Sequence, residues 1–372
     1  MFEFFKTECP VEEIEKKWIE DSVSWFFAPL REIKFKDFEY INIASYFPSD
    51  NVTLAEVHLN KIFEKVKRHL GFPEDLVCEI RLVEHDDIPL PEGLKMQQYT
   101  GESLTCRGYM LDNKFILDVN SKYLDSPLYI VSRVAYSLVF YKLVNEKVLK
   151  EVNGFINELA TVLFGFGVFQ ANSIINQRKW SGVSHYGWRV GRTGFFSQQM
   201  IGYALALSSF IREDKDQEWS VNLCRDVKAY FDRSNKFIKL NSDYYTKYKN
   251  EIVTRIPVSL TPPDYIYTQK QYYPKGGVRS VSEMKNGKKD GLTKYYHRNG
   301  VLWSEWEYRN EVPWTIFCSF NERSEPVDKG SLVNGTGKLI SYNEYGEIGF
   351  TQDYEDGVLK NTETVSDSPF YK

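Results

Sequence analysis

The side chains that could bind a metal ion or act as a nucleophile are few and scattered in this chain of 372 residues. It has five histidines and five cysteines, and the cysteines show no Cys-x-x-Cys spacing. His58 and His69 lie eleven residues apart on a predicted helix, which separates them by about 16 Å at a rise of about 1.5 Å per residue. We therefore expect no zinc site shared by these two residues, and we expect both to be solvated or to contact a partner.

Motifs for nucleophilic catalysis and phosphate binding are not found in the sequence. Ser137 has no identifiable His partner that would activate it. The Gly-Phe-Gly segment at residues 165–167 is too short for a phosphate-binding loop, and we predict a tight turn there. His85 opens a polar turn, whereas residues 180–189 form a Gly- and Trp-rich segment around His185 that we predict to be a loop. Loops carried by a rigid scaffold are common binding sites.

Net charge, cysteine content and apolar runs indicate which partners and which cellular compartment to expect. The net charge is −4, the pI is about 5.9 and aromatic residues reach 16%. This balance does not predict binding to nucleic acid or to an anionic membrane. Five scattered cysteines favour a reducing compartment over a disulfide framework. The first residues lack the pattern of a signal peptide, and the longest apolar run, residues 159–169, is too short and Gly-broken to span a bilayer. We expect a cytoplasmic protein.

Hydrophobic periodicity predicts a largely helical region followed by strands, and so an α+β chain with a small β part before its helices. Predicted helices cover residues 12–31, 53–70, 128–149, 153–164, 198–212 and 219–239, and predicted strands cover residues 35–47, 77–84 and a hairpin at 105–118. A Pro-rich stretch at residues 257–263 predicts a linker. The predicted domains are an N-terminal segment at 1–48, an α+β domain at 49–256, a linker at 257–264 and an all-β domain at 265–372.

The all-β region repeats itself. An aromatic residue is followed four positions later by Gly or Ser at residues 273–277, 296–300, 320–324 and 342–346, with steps of 23, 24 and 22. A second landmark keeps nearly the same period, at Asn286-Gly287, Asn310-Glu311, Asn334-Gly335 and Asp356-Gly357. Such a period indicates a stacked repeat array, which binds partners more often than it catalyses.

These landmarks resemble the MORN-variant repeats of bacterial proteins, some of them antitoxins, over about residues 270–360. The resemblance implies a β-meander and, more weakly, contact with a protein or a lipid. The third unit departs from the pattern, because Ser324 and Glu311 replace glycines and residues 324–336 read as a looped insertion. Aromatic residues of the array that are either core or partner-binding candidates are Trp303, Trp306, Tyr308 and Trp314.

Residues 128–212 carry a second resemblance, to uncharacterised bacterial zincin-like proteins. It rests on the helix at residues 131–143, the Asn157-Glu158 segment before Gly-Phe-Gly, and the Tyr-Ala-Leu-Ala-Leu run at residues 203–207. In that family one helix carries His-Glu-x-x-His, which holds zinc and supplies a general base. Here the corresponding positions are Tyr136, Ser137 and Phe140, and only Glu158, in the place of the third ligand, keeps its type. We therefore predict vestigial positions, no metal site, no catalytic residue and no cofactor, with Tyr136 and Phe140 in the core.

The combined hypothesis is a non-catalytic binding protein, in which a pseudo-metallopeptidase scaffold precedes a repeat array. An antitoxin, immunity or regulatory role through contact with another protein fits an acidic, aromatic-rich chain. Further partner-binding candidates are Trp180, His185, Tyr186, Trp188, Arg189 and Arg192. Two alternatives stay open: an active hydrolase with an unrecognised site near Glu158 and His185, and a membrane-associated scaffold that acts through the repeats.

Overall fold

A computed structural model describes residues 8–27, 40–41, 43, 56–84, 106–111, 114–124, 126–145, 153–182, 185–192, 194–254, 262–273, 276–343 and 346–364. The chain divides into two compact units, residues 1–263 and 264–372. The first unit is mostly helical and the second consists of antiparallel strands, so the α+β class is confirmed.

The first unit is built around helices whose apolar faces pack together. The helices of the described residues are α1 (Glu13–Phe27), α2 (Glu56–His69), α3 (Pro127–Asn145), α4 (Gly154–Thr161), α5 (Gly167–Ala171), α6 (Gln198–Arg212), α7 (Arg225–Leu240) and α8 (Ser242–Thr254). Asn153 caps α4 by accepting the N–H of Ile156 at 2.9 Å, and Ser197 caps α6 by accepting the N–H of Met200 at 3.1 Å. Helix α8 is a helix that the periodicity did not predict.

A small sheet lies against these helices. Strands β1 (Cys78–Val83), β2 (Cys106–Leu111) and β3 (Lys114–Asn120) have the order β1-β3-β2, with β1 parallel and β2 antiparallel to β3. Helix α3 packs closely on β2 at Gly108, where a Cβ would lie 3.0 Å from the Cβ of Ser137 and 2.4 Å from the ring of Phe115. The predicted strand at 77–84 and the hairpin at 105–118 are confirmed, whereas the strand predicted at 35–47 falls almost wholly outside the described residues.

A turn of π-helix, Val162–Phe166, interrupts the chain between α4 and α5. Gly165 has φ of 96° there, so the regular helical hydrogen bonds cannot continue through it. Three successive carbonyls of the turn accept bonds from other parts of the unit. The donors are Arg212 Nη2 to Leu163, His69 Nε2 at 2.8 Å to Phe164 and the N–H of Ile41 at 3.2 Å to Gly165. The tight turn predicted from Gly-Phe-Gly is thus confirmed.

The second unit is a meander of short strands. They are β6 (Ile266–Tyr272), β7 (Val278–Lys285), β8 (Lys288–Tyr296), β9 (Leu302–Arg309), β10 (Val312–Ser319), β11 (Gly337–Tyr342), β12 (Ile348–Glu355) and β13 (Val358–Thr364). Strands β10-β9-β8-β7-β6 form a five-stranded sheet and β11-β12-β13 a three-stranded one. The break falls in the third repeat, where residues 320–336 form only isolated bridges, as predicted for the insertion.

The repeat landmarks are turns that require a left-handed backbone. At Asn286 and Gly287 the φ angles are 53° and 86°, and Glu311 keeps a φ of 72° although it is not a glycine. The same conformation recurs at the other Asn-Gly-type pairs, which matches the tight turns of twisted hairpins. Side chains of the preceding strand or turn hold three of these turns, by bonds from Asn310 N to Asp290, Asn334 N to Thr315 and Asp356 N to Thr336.

Candidate functional site

Glu158, the one residue that keeps the type of a zincin-like ligand, is fully engaged in holding main chain. It lies on α4 and is 3% exposed. Its Oε2 accepts the N–H groups of Phe195 at 2.5 Å and Phe196 at 3.1 Å, directly before α6. Gly194 lies so close that a Cβ there would be 2.5 Å from Glu158 Oε1. The carboxylate therefore anchors the segment that leads into α6.

The three other vestigial positions lie on α3. Ser137 is buried against β2, while Tyr136 and Phe140 are only half-buried. The prediction that both aromatic residues are core is therefore wrong. The buried face of α3 is formed instead by aliphatic side chains at helical spacing, namely Val131, Val134, Ala135, Leu138, Val139 and Leu143. Arg133 covers the ring of Tyr136 at 5.4 Å.

Burial also makes the thiols poor nucleophiles. It raises the pKa of Cys78 and of Cys106 to about 12, and it raises the pKa of Cys9, Cys224 and Cys318 as well. A thiol is nucleophilic as its thiolate, so all five cysteines are protonated and unreactive near neutral pH. Across the described parts of the chain, no group of three or more His, Cys, Asp or Glu side chains could hold a metal ion.

The two histidines whose side chains the structure describes, His69 and His297, pack against aromatic rings and bind main chain. His69 was predicted to be solvated or to contact a partner, and this is wrong: its ring lies edge-on to Phe166 at 5.0 Å while Nε2 donates to the π-turn carbonyl. His297 is buried, stacks on Trp303 at 5.1 Å and hydrogen-bonds the carbonyl of Phe320 at 2.9 Å. The side chain of His58 and all of His85 lie outside the described residues.

The segment around His185 is a β-ribbon and not the predicted loop. Strands β4 (Ile175–Gly182) and β5 (His185–Arg192) pair antiparallel with each other alone, as a two-stranded sheet. Each of the six predicted binding candidates is paired with a residue of the opposite strand. The pairs are Trp180–Gly187, Tyr186–Ser181, Trp188–Lys179, Arg189–Arg178, Arg192–Ile175 and His185–Gly182. Along β5, Tyr186, Trp188 and Val190 alternate with polar residues or glycine, a period-2 pattern that the Gly and Trp content masked. All six partner-binding candidates predicted here thus lie on one ribbon.

The aromatic candidates of the repeat array serve largely within the unit. Tyr308 is 6% exposed, and burial raises the pKa of its hydroxyl, which lies 2.8 Å from that of Tyr295. Trp306 stacks on Tyr308 at 5.8 Å. It also packs against a buried apolar cluster formed by Ile316, Leu332, Leu339 and Tyr354. Trp314 covers the glycines of two turns and lies 4.2 Å from the guanidinium of Arg309. Three of the candidates are half-buried, so part of each indole ring is exposed to solvent: Trp303, Trp306 and Trp314.

A buried carboxylate ringed by tyrosines lies in the first unit and was not predicted. Glu20 on α1 is 5% exposed. Its Oε1 accepts the hydroxyls of Tyr203 at 2.5 Å and Tyr245 at 3.2 Å, and its Oε2 accepts that of Tyr244 at 2.7 Å. Lys16 Nζ lies 3.7 Å from Oε1. We call these five residues the Glu20 cluster.

The three tyrosine hydroxyls of the Glu20 cluster stay protonated. Burial, followed by the negative charge of Glu20, raises the pKa of Tyr203. Burial, followed by the hydrogen bond to Glu20, raises the pKa of Tyr244, and burial raises that of Tyr245. The hydroxyls therefore remain donors over the physiological range. The cluster joins α1, α6 and α8 by hydrogen bonds. A Lys-x-x-x-Glu pair and a Tyr-Tyr-x-x-Tyr spacing were its only traces in the sequence.

Two helical stretches are long and apolar enough to cross a membrane, Pro127–Val144 and Gly154–Ala171, with mean hydropathy of 1.2 and 1.3. Within the first unit they are 61% and 100% buried, as core helices of a soluble protein are. By length and composition alone they are weak evidence for a membrane.

No protein-family model matches the chain, and no curated protein or solved structure matches it either. The zincin-like and MORN-variant resemblances therefore remain predictions.

Proposed function

We propose that this chain is a non-catalytic protein that binds another protein, with a zincin-like helical scaffold that has lost its chemistry and a MORN-like repeat array. The observation that carries the proposal is the environment of Glu158. Its carboxylate holds two main-chain N–H groups under Gly194, so the residue that would have been a metal ligand has become a structural anchor. An antitoxin, immunity or regulatory role in the cytoplasm fits such a protein.

The surfaces available for a partner support binding over catalysis. The ribbon of β4 and β5 gathers Trp, Tyr, His and Arg, which are frequent interface anchors. In the array, Phe317 and Tyr272 are 51% and 61% exposed, and Trp303, Trp306 and Trp314 are half-exposed next to cations or other rings. Single exposed apolar residues are ordinary, but their concentration on a repeat array is typical of an extended binding face.

The test separates binding from hydrolysis. Full-length protein is purified and assayed for bound zinc and for hydrolysis of a casein and a mixed peptide library, beside Glu158→Gln. We expect no stoichiometric zinc and no turnover, with Glu158→Gln losing stability. About one zinc per chain together with turnover that Glu158→Gln abolishes would establish the hydrolase alternative.

Partner binding is tested on the same protein. Proteins captured from host lysate are compared for the wild type, Trp188→Ala, Trp303→Ala and the control Val221→Ala, whose side chain is 77% exposed and belongs to neither the ribbon nor the array. We expect one protein to be lost with a Trp variant and kept with the control. Flotation with anionic liposomes that carries the protein to the lipid layer, and fails in the Trp303 variant, would favour the membrane scaffold instead.

A further inference from the structure

The ribbon formed by β4 and β5 concentrates positive charge in a chain that is acidic overall. Arg178, Lys179, Arg189 and Arg192 lie on its two strands, and the sequence contains no Asp or Glu between Glu158 and Glu213. Because the whole chain has a net charge of −4, the rest of the chain without these four cations carries −8. The positive charge is therefore local to the ribbon.

The register of the ribbon places two of these cations opposite each other. Arg178 and Arg189 are partners in the antiparallel ladder, and residues directly opposite lie roughly 5 Å apart at Cβ. Like charges in such a pair destabilise a ladder, whereas an anion bound beside them would relieve the repulsion. The arrangement is costly for the free ribbon and useful for a negatively charged ligand.

The ribbon is also incomplete as a β-sheet. It has two strands, so among the described residues neither outer edge has a strand partner. A lone two-stranded hairpin is marginally stable in water, and a third strand makes such a sheet stable. Extended peptides commonly bind by adding a strand to an open edge, where main-chain bonds supply affinity and side chains supply selectivity.

We propose that the ribbon binds an extended acidic segment of a partner protein, which adds to β4 or β5 as a third strand with its carboxylates next to Arg178 and Arg189. This inference rests on the proposed binding function and names the partner's chemistry. Nucleic acid fits less well. A duplex carries one negative charge per about 1.7 Å, and the net negative charge of the rest of the chain would repel so dense a polyanion. A short acidic segment would need to approach only the ribbon and not the acidic rest of the chain.

The test uses the full chain and a labelled peptide of about 12 residues that alternates Glu and Thr, long enough for one strand. Fluorescence anisotropy measures its binding at low salt, beside a matched Lys-Thr peptide and an oligothymidine of about 20 nucleotides. Arg178→Gln/Arg189→Gln removes the facing charges and their repulsion, so it does not weaken the ribbon. The matched control is Arg233→Gln/Lys236→Gln, at two exposed positions on α7.

We expect the Glu-Thr peptide to bind, to lose at least about tenfold in affinity in the Arg178/Arg189 variant and to change less than about twofold in the control. Amide hydrogen exchange should slow within residues 175–192 when the peptide is bound. No binding of the Glu-Thr peptide, equal binding of the Lys-Thr peptide, or no slowing in the ribbon would overturn the proposal. Tighter binding of oligothymidine through the same two arginines would assign the ribbon to nucleic acid and would also overturn it.

These outcomes are separable from failure of the proposed function. Zinc-dependent turnover would refute the non-catalytic assignment, whatever the peptide does. A zinc-free protein that captures its partner through the array, and whose ribbon ignores the acidic peptide, would refute the ribbon inference alone.

Discussion

Removal of the Glu20 carboxylate tests whether the Glu20 cluster holds the first unit together. In Glu20→Ala, the buried hydroxyls of Tyr203 and Tyr245 lose an acceptor that they now reach at 2.5 and 3.2 Å. Hydrogen bonds to a charged group contribute roughly 1.5–3 kcal/mol each, and a buried donor left alone costs about 1–3 kcal/mol. The two hydroxyls lie 2.9 Å apart, so one can donate to the other and recover part of the loss. Tyr244 is 49% exposed and can turn to water.

The expected loss in the free energy of unfolding is therefore about 3–5 kcal/mol for Glu20→Ala, and less for Glu20→Gln, which keeps one acceptor oxygen. Urea unfolding followed by circular dichroism at the helical wavelength reports the first unit, because all described helices lie there. The matched control is Glu13→Ala on the same helix, whose side chain is 83% exposed; it should change stability by less than about 0.5 kcal/mol.

A double-mutant cycle completes the test. Glu20→Ala and Tyr203→Phe should be non-additive by about 1–2 kcal/mol, because both remove the same hydrogen bond. Additive effects, or a Glu20→Ala protein as stable as the Glu13→Ala control, would refute the assignment of the cluster as the support of α8.

Four further predictions follow from the structure. Phe140→Ala should cost about 1–2 kcal/mol, below the range for a core Phe, since the ring is half-buried; a thermal melt that gives a core-sized loss would contradict this. Glu158→Ala should cost about 2–4 kcal/mol in urea unfolding because two main-chain N–H groups lose their acceptor, and a neutral effect would contradict the anchor. Ser324→Gly should stabilise the array by about 1 kcal/mol, since Ser324 has φ of 63°; scanning calorimetry would detect the opposite sign. Stability should fall as pH rises above about 10, because burial raises the folded-state pKa of Tyr203 and the unfolded chain then loses its proton first; Tyr203→Phe should flatten that decline.

Local pattern predicted the parts of this fold that depend on neighbours in sequence. The helix at 198–212 follows from its apolar spacing and matches Gln198–Arg212, and the array turns follow from Asn-Gly-type pairs that tolerate positive φ. The break in the array lies at the insertion predicted over residues 324–336, whereas the turn at Glu311 forms without a glycine. Features that depend on distant partners could not be predicted in this way. Glu20 and its tyrosine partners are separated by 183 to 225 residues, and no periodicity connects them.

The candidate site also combines features that depend on sequence neighbours with features that depend on distant partners. Sequence reasoning found the aromatic and basic residues around His185 but assigned them to a loop, because Gly and Trp obscured the alternation that makes a ribbon. It placed Tyr136 and Phe140 in the core, whereas the aliphatic face of α3 took that position. Glu158 was predicted to be a vestigial ligand position, and the main-chain groups that it binds were found only in the tertiary structure.

The anchor at Glu158 and the ribbon of β4 and β5 are connected through the main chain. The ribbon begins directly after Ile174, which is 3% exposed, and the described chain resumes at Gly194. The two N–H groups that Glu158 holds are those of the residues immediately after Gly194. A carboxylate bound to zinc could not accept both bonds through the same oxygen as strongly, because the metal would draw on the same lone pairs. Under the proposed function, a Glu158 that binds main chain fixes the residues that follow the binding ribbon.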